Sequence, residues 1–328
     1  MDRHNRVISI AFGLILGAAI SLWSKDIGDV TSWGYQLQGK HGGPIKIADI
    51  INYSFDLMVI DYSADGSEAK EFTASDITAL KASGKIVLAY MSIGEAENYR
   101  FYWKWMPKNI KIEENPDWPG NYKIKYWKQE WKDIIFGADS GQHRSYLDRI
   151  IDQGFDGVYL DLIDAYEFVG PHEINGNDMR RTAAEDMINF VAEIANYARA
   201  KRGEPDFLVV PQNAAYIWNK ENFPDDPSPK QKSKQMKKFY FTHINAIGVE
   251  DVFFQGNKDE NNKYKPDKWV IRHLAEYKKS GKVILSVEYL TQKKKVNKYK
   301  KKAAHRGYIP LATKRDLNGV FFAPLFSP

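Results

Sequence analysis

Cysteine is absent from the 328 residues, which excludes disulfides, thiolate metal ligands, a thiol nucleophile and the lipidated cysteine of a bacterial lipoprotein. The short signatures of several enzyme classes are missing too. The seven histidines are scattered with no HExxH or comparable spacing, which argues against a zinc hydrolase, so no metal or cofactor is expected. No GxSxG elbow or P-loop occurs, and no glycine-rich turn follows the first strand candidate. A dinucleotide-binding sheet therefore loses its support. HIGH-type and KMSKS-type nucleotide signatures are also lacking, and KQKSKQMKK (230–238) is only superficially like the second.

Long apolar runs are scarce. Residues 7–23, which follow the charged segment DRHNR, are uncharged and mostly apolar. Residues 1–25 read as a secretory signal peptide, with small residues at Ala18, Ala19 and Ser21. A retained membrane anchor is the alternative, because the run approaches bilayer-spanning length and has no clean A-x-A site. Either reading puts residues 26–328, expected to form one domain, outside the cytoplasm, secreted or in the cell envelope. Membrane contact is then expected only through an uncleaved leader.

What is present suits a large core: 43% of the residues are hydrophobic, and nine Trp, 19 Tyr and 17 Phe make 14% aromatic. Aromatic rings fill cores, and they also hold sugar rings. The net charge of +5 comes from two late runs, KQKSKQMKK and KKKVNKYKKKAAHR (293–306). These read as solvated outer faces, so no nucleic-acid partner is expected.

Eight strand candidates run along the chain: 33–38, 55–62, 85–92, the run within GFDGVYLDLIDAY (154–166), 207–212, 244–253, 283–287 and 308–311. Helical patterns separate most of them, for example 73–83, 179–201, 268–279 and 294–304. A repeated βα unit of this kind closes naturally into a (β/α)8 TIM barrel. Residues 95–136 are too long for an ordinary βα loop. With Trp103, Trp105, Trp118, Trp127 and Trp131, they read as an insertion after strand three, lying over the barrel mouth. Residues 219–238, with Pro224, Pro227 and Pro229, read as a second long polar loop.

Barrel chemistry sits at the C-terminal strand ends, and acidic groups recur there. Strand two ends at Asp61, strand three leads to Glu95 and Glu97, and strand four ends at Asp161 with Asp164 beyond it. Strand five ends at Gln212 and Asn213, strand six at Glu250 and Asp251, and strand seven at Glu288. Two-step counting puts Gly157, Tyr159 and Asp161 on one side of strand four, with Asp156 at its opposite end as a structural residue. Asp161 is the first catalytic candidate. Glycoside hydrolysis needs two carboxyl groups, and periodicity alone does not choose the partner. Tyr62, Tyr90, Trp103 and Tyr166 are candidate sugar platforms, and Asp61, Asp164 and Asn213 candidate substrate contacts. Glu95 and Arg100 are expected to bind an amino sugar or to pair with each other.

Together WGYQLQ (33–38), VIDYS (59–63), YMSIGEAENYRFYW (90–103) and GFDGVYLDLIDAY resemble the glycoside hydrolase family 114 proteins, the endo-α-1,4-polygalactosaminidase-like group. The resemblance implies a secreted TIM barrel that cleaves a galactosamine-containing polysaccharide by acid/base chemistry without metal. It also implies a catalytic pair of Asp161 and, in GVEDVF, Glu250, with Glu288 as the rival of the second. The family often carries Asn after the strand-four Asp, where this chain has Leu162.

Overall fold

A computed structural model describes residues 26–137, 143–171 and 179–322, so the expected leader, 1–25, lies outside the described residues. Within them, eight parallel strands alternate with helices. The strands are β1 (Trp33–Gln36), β2 (Leu57–Ile60), β3 (Ile86–Ser92), β4 (Gly157–Asp161), β5 (Leu208–Pro211), β6 (Ala246–Glu250), β7 (Val283–Tyr289) and β8 (Ile309–Thr313). Between them lie α1 (Ile47–Ile51), α2 (Ala74–Ala82), α3 (Tyr146–Gln153), α4 (Ala183–Asn196), α5 (Pro229–His243), α6 (Lys268–Lys279) and α7 (Lys293–Ala304).

Strands β1 to β5 hydrogen-bond in chain order, as do β6 to β8. A parallel bridge between Gln212 and Gly248 joins the two groups. At the seam between β8 and β1, the Trp33 indole donates to the Ile309 carbonyl at 3.0 Å. The Leu37 and Gln38 amides there donate to Leu317 O. The result is the TIM barrel that the βα repeat predicts.

Side-chain alternation divides the core into two. Trp33, Tyr35, Leu57, Val59, Leu88, Tyr90, Tyr159, Val210, Leu285, Val287, Tyr289 and Leu311 pack inside the barrel. The intervening residues, such as Met58, Val87, Ala89, Val158, Leu160, Val209 and Ile247, pack outward under the helices. The interior is aromatic: the Tyr35 ring lies 5.2 Å from Tyr159 and 6.3 Å from Tyr90. Room for Tyr159 comes from Gly248 across the barrel, where an added Cβ would fall 1.9 Å from the Tyr159 hydroxyl oxygen. Gly248→Ala is therefore expected to cost about 1–3 kcal/mol, read as a lower denaturant midpoint at unchanged slope. Unchanged stability would mean that the ring moves freely.

Helix ends follow their sequence signals. Thr73 and Asp76 form a reciprocal capping box on α2, and Asp267 accepts two amides at the start of α6. Gly154 ends α3 with φ = 85°. One expectation is corrected: 219–238 is not a loop throughout, because α5 begins at Pro229. Proline at the first helical position lacks only an N–H that would have no partner there, and Met236, Tyr240 and Phe241 bury the inner face. Both basic runs thus lie largely on outer helices, α5 and α7.

The insertion after β3 is ordered. Glu95–Glu97, Lys111–Glu114 and Asn121–Ile124 form a three-stranded antiparallel sheet, followed by the helix Gln129–Ile135. Trp131 is fully buried and donates to Ile93 O at 2.8 Å. Trp105 stacks on His143 at 4.3 Å, and Trp103 packs on Tyr122 at 4.9 Å. Trp131 is thus a core residue, and Trp103 and Trp105 are half-buried against those rings. Trp118 is the exception, 57% exposed.

Candidate active site

Two-step alternation along the strands carries inward-facing positions up to the mouth. On β4 it runs Gly157, Tyr159, Asp161; on β6, Ala246, Gly248, Glu250; along β5 it continues through Val210 to Gln212. Past each of these three mouth residues the chain turns at once. Leu162 (φ 59°), Asn213 (φ 61°) and Asp251 (φ 53°) all occupy the left-handed region. Asn and Asp tolerate that conformation, whereas a leucine there is strained by about 1–2 kcal/mol. The turn has a visible effect: it aims the Leu162 amide back at Asp161 Oδ1, 2.8 Å away.

Asp161 accepts a second hydrogen bond, from the Tyr90 hydroxyl to Oδ2 at 2.7 Å. Its pKa is pushed up to about 6, chiefly by burial, with the two hydrogen bonds opposing and the charge of Glu97 adding. Tyr90, a candidate sugar platform from its sequence, is instead the partner that orients this carboxylate. Glu250, two strands away, is held by the Gln212 amide on Oε2 and by the Arg315 guanidinium on Oε1. Asn213 caps its backbone, accepting the Glu250 N–H at 3.2 Å. The pKa of Glu250 is raised to about 8, first by burial and next by the negative charge of Asp161, against the pull of Arg315. The pair is therefore staggered: Asp161 ionises first, and its charge helps Glu250 keep a proton. Gln212 suits either state of Glu250, because turning its amide over exchanges donor for acceptor.

Asp164 lies near Asp161 at the start of the short helix Ala165–Val169, with its pKa pushed up to about 7 by burial and then by Asp161. With Glu95, Lys123 and Phe168 it lines a small cavity of ≈ 170 Å³. Burial also raises Glu95, which accepts from Asn115 Nδ2 at 2.9 Å.

The remaining expected site residues go elsewhere. Arg100 does not pair with Glu95. It is buried between Asp61 (2.7 Å) and Glu97 (2.6 Å), with the Tyr62, Tyr99 and Tyr146 rings around its guanidinium. This ion cluster fastens the first strand of the insertion to the end of β2. Even so, burial holds Asp61 at about 6. Tyr62 falls one residue past Asp61, on the outward parity, and packs edge-on against Tyr146 at 5.0 Å. Tyr166 is buried in the outer core, its hydroxyl on Glu167. Glu288 is fully buried on the outer face of β7, where Phe253 N donates to it at 2.6 Å. Burial drives its pKa well above the carboxylate range. Tyr62, Tyr166 and Glu288 are thus enclosed in the layer between strands and helices, away from the barrel interior.

Of the two side chains that hold Glu250, Gln212 is marked by the sequence as the end of strand five, whereas Arg315 escapes sequence reasoning. Gln212 has a signal, two steps beyond Val210. Arg315 has no local signal: it follows β8, lies 3.5 Å over the Tyr289 ring and reaches both Glu250 and Asp251. Among the described residues, no group of three His, Asp or Glu side chains is arranged to hold a metal ion.

The chain is similar to known proteins in sequence and in fold. An uncharacterized protein of Thermotoga maritima is 38% identical over 298 residues, covering 87% of this chain and 81% of its own. Another, of Methanocaldococcus jannaschii, is 39% identical over 295 residues, covering 87% and 75%. In fold, the chain is similar to Aspergillus fumigatus Ega3 in complex with galactosamine, with a TM-score of 0.64 at 18% identity over 92% of this chain and 97% of that one. The glycoside hydrolase domain of PelA from Pseudomonas aeruginosa gives 0.59 at 16% identity, covering 89% and 98%. The model of glycoside-hydrolase family GH114 matches residues 17–325, and the chain belongs to that family.

Proposed function

We propose that this protein is an endo-acting glycoside hydrolase that works outside the cytoplasm on an amino-sugar polysaccharide containing galactosamine. The observation that carries the reading is the pair of inward-facing carboxyl groups on β4 and β6, with pKa values of about 6 and about 8. Family membership supports the reaction class. The galactosamine held by the structurally similar Ega3 supports the sugar. A mouth that carries Glu95, Asp161, Asp164 and Glu250 suits a chain bearing ammonium groups.

In the proposed mechanism Glu250 donates its proton to the glycosidic oxygen as that bond breaks. Asp161 attacks the anomeric carbon and forms a glycosyl-enzyme ester. Water then adds to the same carbon, giving its proton to Glu250 and releasing Asp161 as carboxylate. Tyr90 and the Leu162 amide hold the nucleophile, and Gln212 and Arg315 hold the acid.

The test is turnover of partially deacetylated polygalactosamine as a function of pH. Asp161 must be ionised, so the rate rises as pH passes about 6; Glu250 must be protonated, so it falls as pH passes about 8. The expected profile of kcat/KM is a bell between those limbs. A rate that stays level from about pH 5 to about pH 9 would remove the pair from the chemistry. Binding without turnover at any pH would make the protein a polysaccharide-binding barrel.

A further inference from the structure

A second cavity opens beside Arg315. It holds ≈ 800 Å³ between the Asp117–Trp118 turn of the insertion, residues 257–260 after β6, and Arg315 with Asp316 after β8. That volume is in the range of sites that enclose a whole ligand, and Arg315 is shared with the site already described, since its guanidinium contacts Glu250. Cavity and catalytic mouth therefore meet at Arg315.

Trp118 is the feature of this cavity that lacks a packing explanation, being the most exposed of the large hydrophobic residues described. Its turn is built to stay in place. Trp118 N donates to Asn115 O at 3.2 Å, Asn121 N donates to Trp118 O at 3.0 Å, and the Asn115 side chain accepts from Asp117 N at 3.0 Å. Pro116 and Pro119 flank the two central residues and restrict the backbone further. The same Asn115 donates to Glu95, which ties the turn to the floor of the mouth. An indole carried on a braced turn at the wall of an open cavity offers a flat apolar face at low entropic cost. Asp117, Asp259, Glu260 and Asp316 surround it, against Lys258 and Arg315.

We propose that Trp118 is the platform of a remote sugar subsite, on which one ring of a bound amino-sugar chain stacks while the carboxylates nearby receive its ammonium groups. The inference rests on the amino-sugar reading for its ligand. On this reading the insertion lengthens the cleft, so that long chains bind more tightly than short ones.

Oligomers of galactosamine, a dimer and a hexamer, are titrated calorimetrically into the Asp161→Asn protein with and without Trp118→Ala or Trp118→Phe. The expected result is that Trp118→Ala weakens hexamer binding roughly tenfold and leaves dimer binding unchanged, while Trp118→Phe largely keeps the hexamer affinity. Hexamer affinity that is unchanged by Trp118→Ala, or no hexamer binding at all, overturns the subsite. Length-dependent binding that needs Trp118, alongside a wild-type protein that cleaves nothing, upholds the subsite and removes the hydrolase reading instead.

Discussion

Asp161→Asn and Glu250→Gln each lower the turnover of partially deacetylated polygalactosamine by roughly 10³-fold or more, with the fold retained. Each change removes the reacting oxygen and little else. In Asp161→Asn the amide keeps an acceptor for the Leu162 N–H and faces the Tyr90 hydroxyl, which can accept as well as donate. In Glu250→Gln the carbonyl can still receive Arg315, and the amide can donate to a turned Gln212. Asp161→Asn discards a buried charge and Glu250→Gln replaces a carboxyl group that is protonated below about pH 8, so neither is expected to melt below wild type. Circular dichroism checks the fold and initial rates check the chemistry. Near wild-type turnover in either variant takes that residue out of the pair. Glu288→Gln is the control: it lies on the outer face of β7, so its folded protein is expected to turn over substrate.

Loss of Arg100 has the largest expected effect on stability. Arg100→Met leaves Asp61 and Glu97 buried without the cation that both now contact, and breaking such a cluster costs about 3–5 kcal/mol. The sign of its pH dependence is fixed by Asp61, whose pKa is already raised to about 6 by burial with Arg100 present. A carboxyl raised above its unfolded value takes up a proton on folding, so it lowers stability as pH climbs. Removing Arg100 strengthens that effect, and the variant should lose more stability at about pH 8 than at about pH 5. Urea unfolding at the two pH values measures this. Equal losses would mean that the cluster contributes packing rather than charge neutralisation. Because Glu97 stands two residues past Glu95, on the same inserted strand, the variant is also expected to loosen the Trp118 turn.

Much of the fold is legible in the sequence because parallel strands under helices leave an unambiguous pattern. The eight strands stand where alternation and capping place them, with boundaries shifted by a few residues. Asp156 is the structural residue expected at the start of β4: it accepts Val87 N at 2.8 Å and pairs with Lys81 at 2.7 Å. Asp56 does the same before β2, tying Thr31 and Ser32. Sequence reasoning fails where one residue of parity matters. Glu288 reads as a mouth residue because the apolar run stops at Val287, yet β7 continues through Tyr289, and the continued alternation turns Glu288 outward. Tyr62 sits likewise one step past the inward Asp61. Long-range partners leave no local trace: Arg315 reaches Glu250 from the loop after β8, and Arg100 pairs with Asp61 across 39 residues rather than with its neighbour Glu95. Pro229 misleads in the ordinary way, since the residue that breaks a helix interior also begins one.

Product analysis of the wild-type protein tests the central claim most directly. Partially deacetylated polygalactosamine is incubated with the protein at a pH between the two limbs, and the soluble fraction is read by mass spectrometry. New oligosaccharides of several lengths, absent with Asp161→Asn and with Glu250→Gln, are the expected result. A polymer that is bound but left intact, or oligosaccharides that still appear when either carboxyl group is replaced, would contradict it.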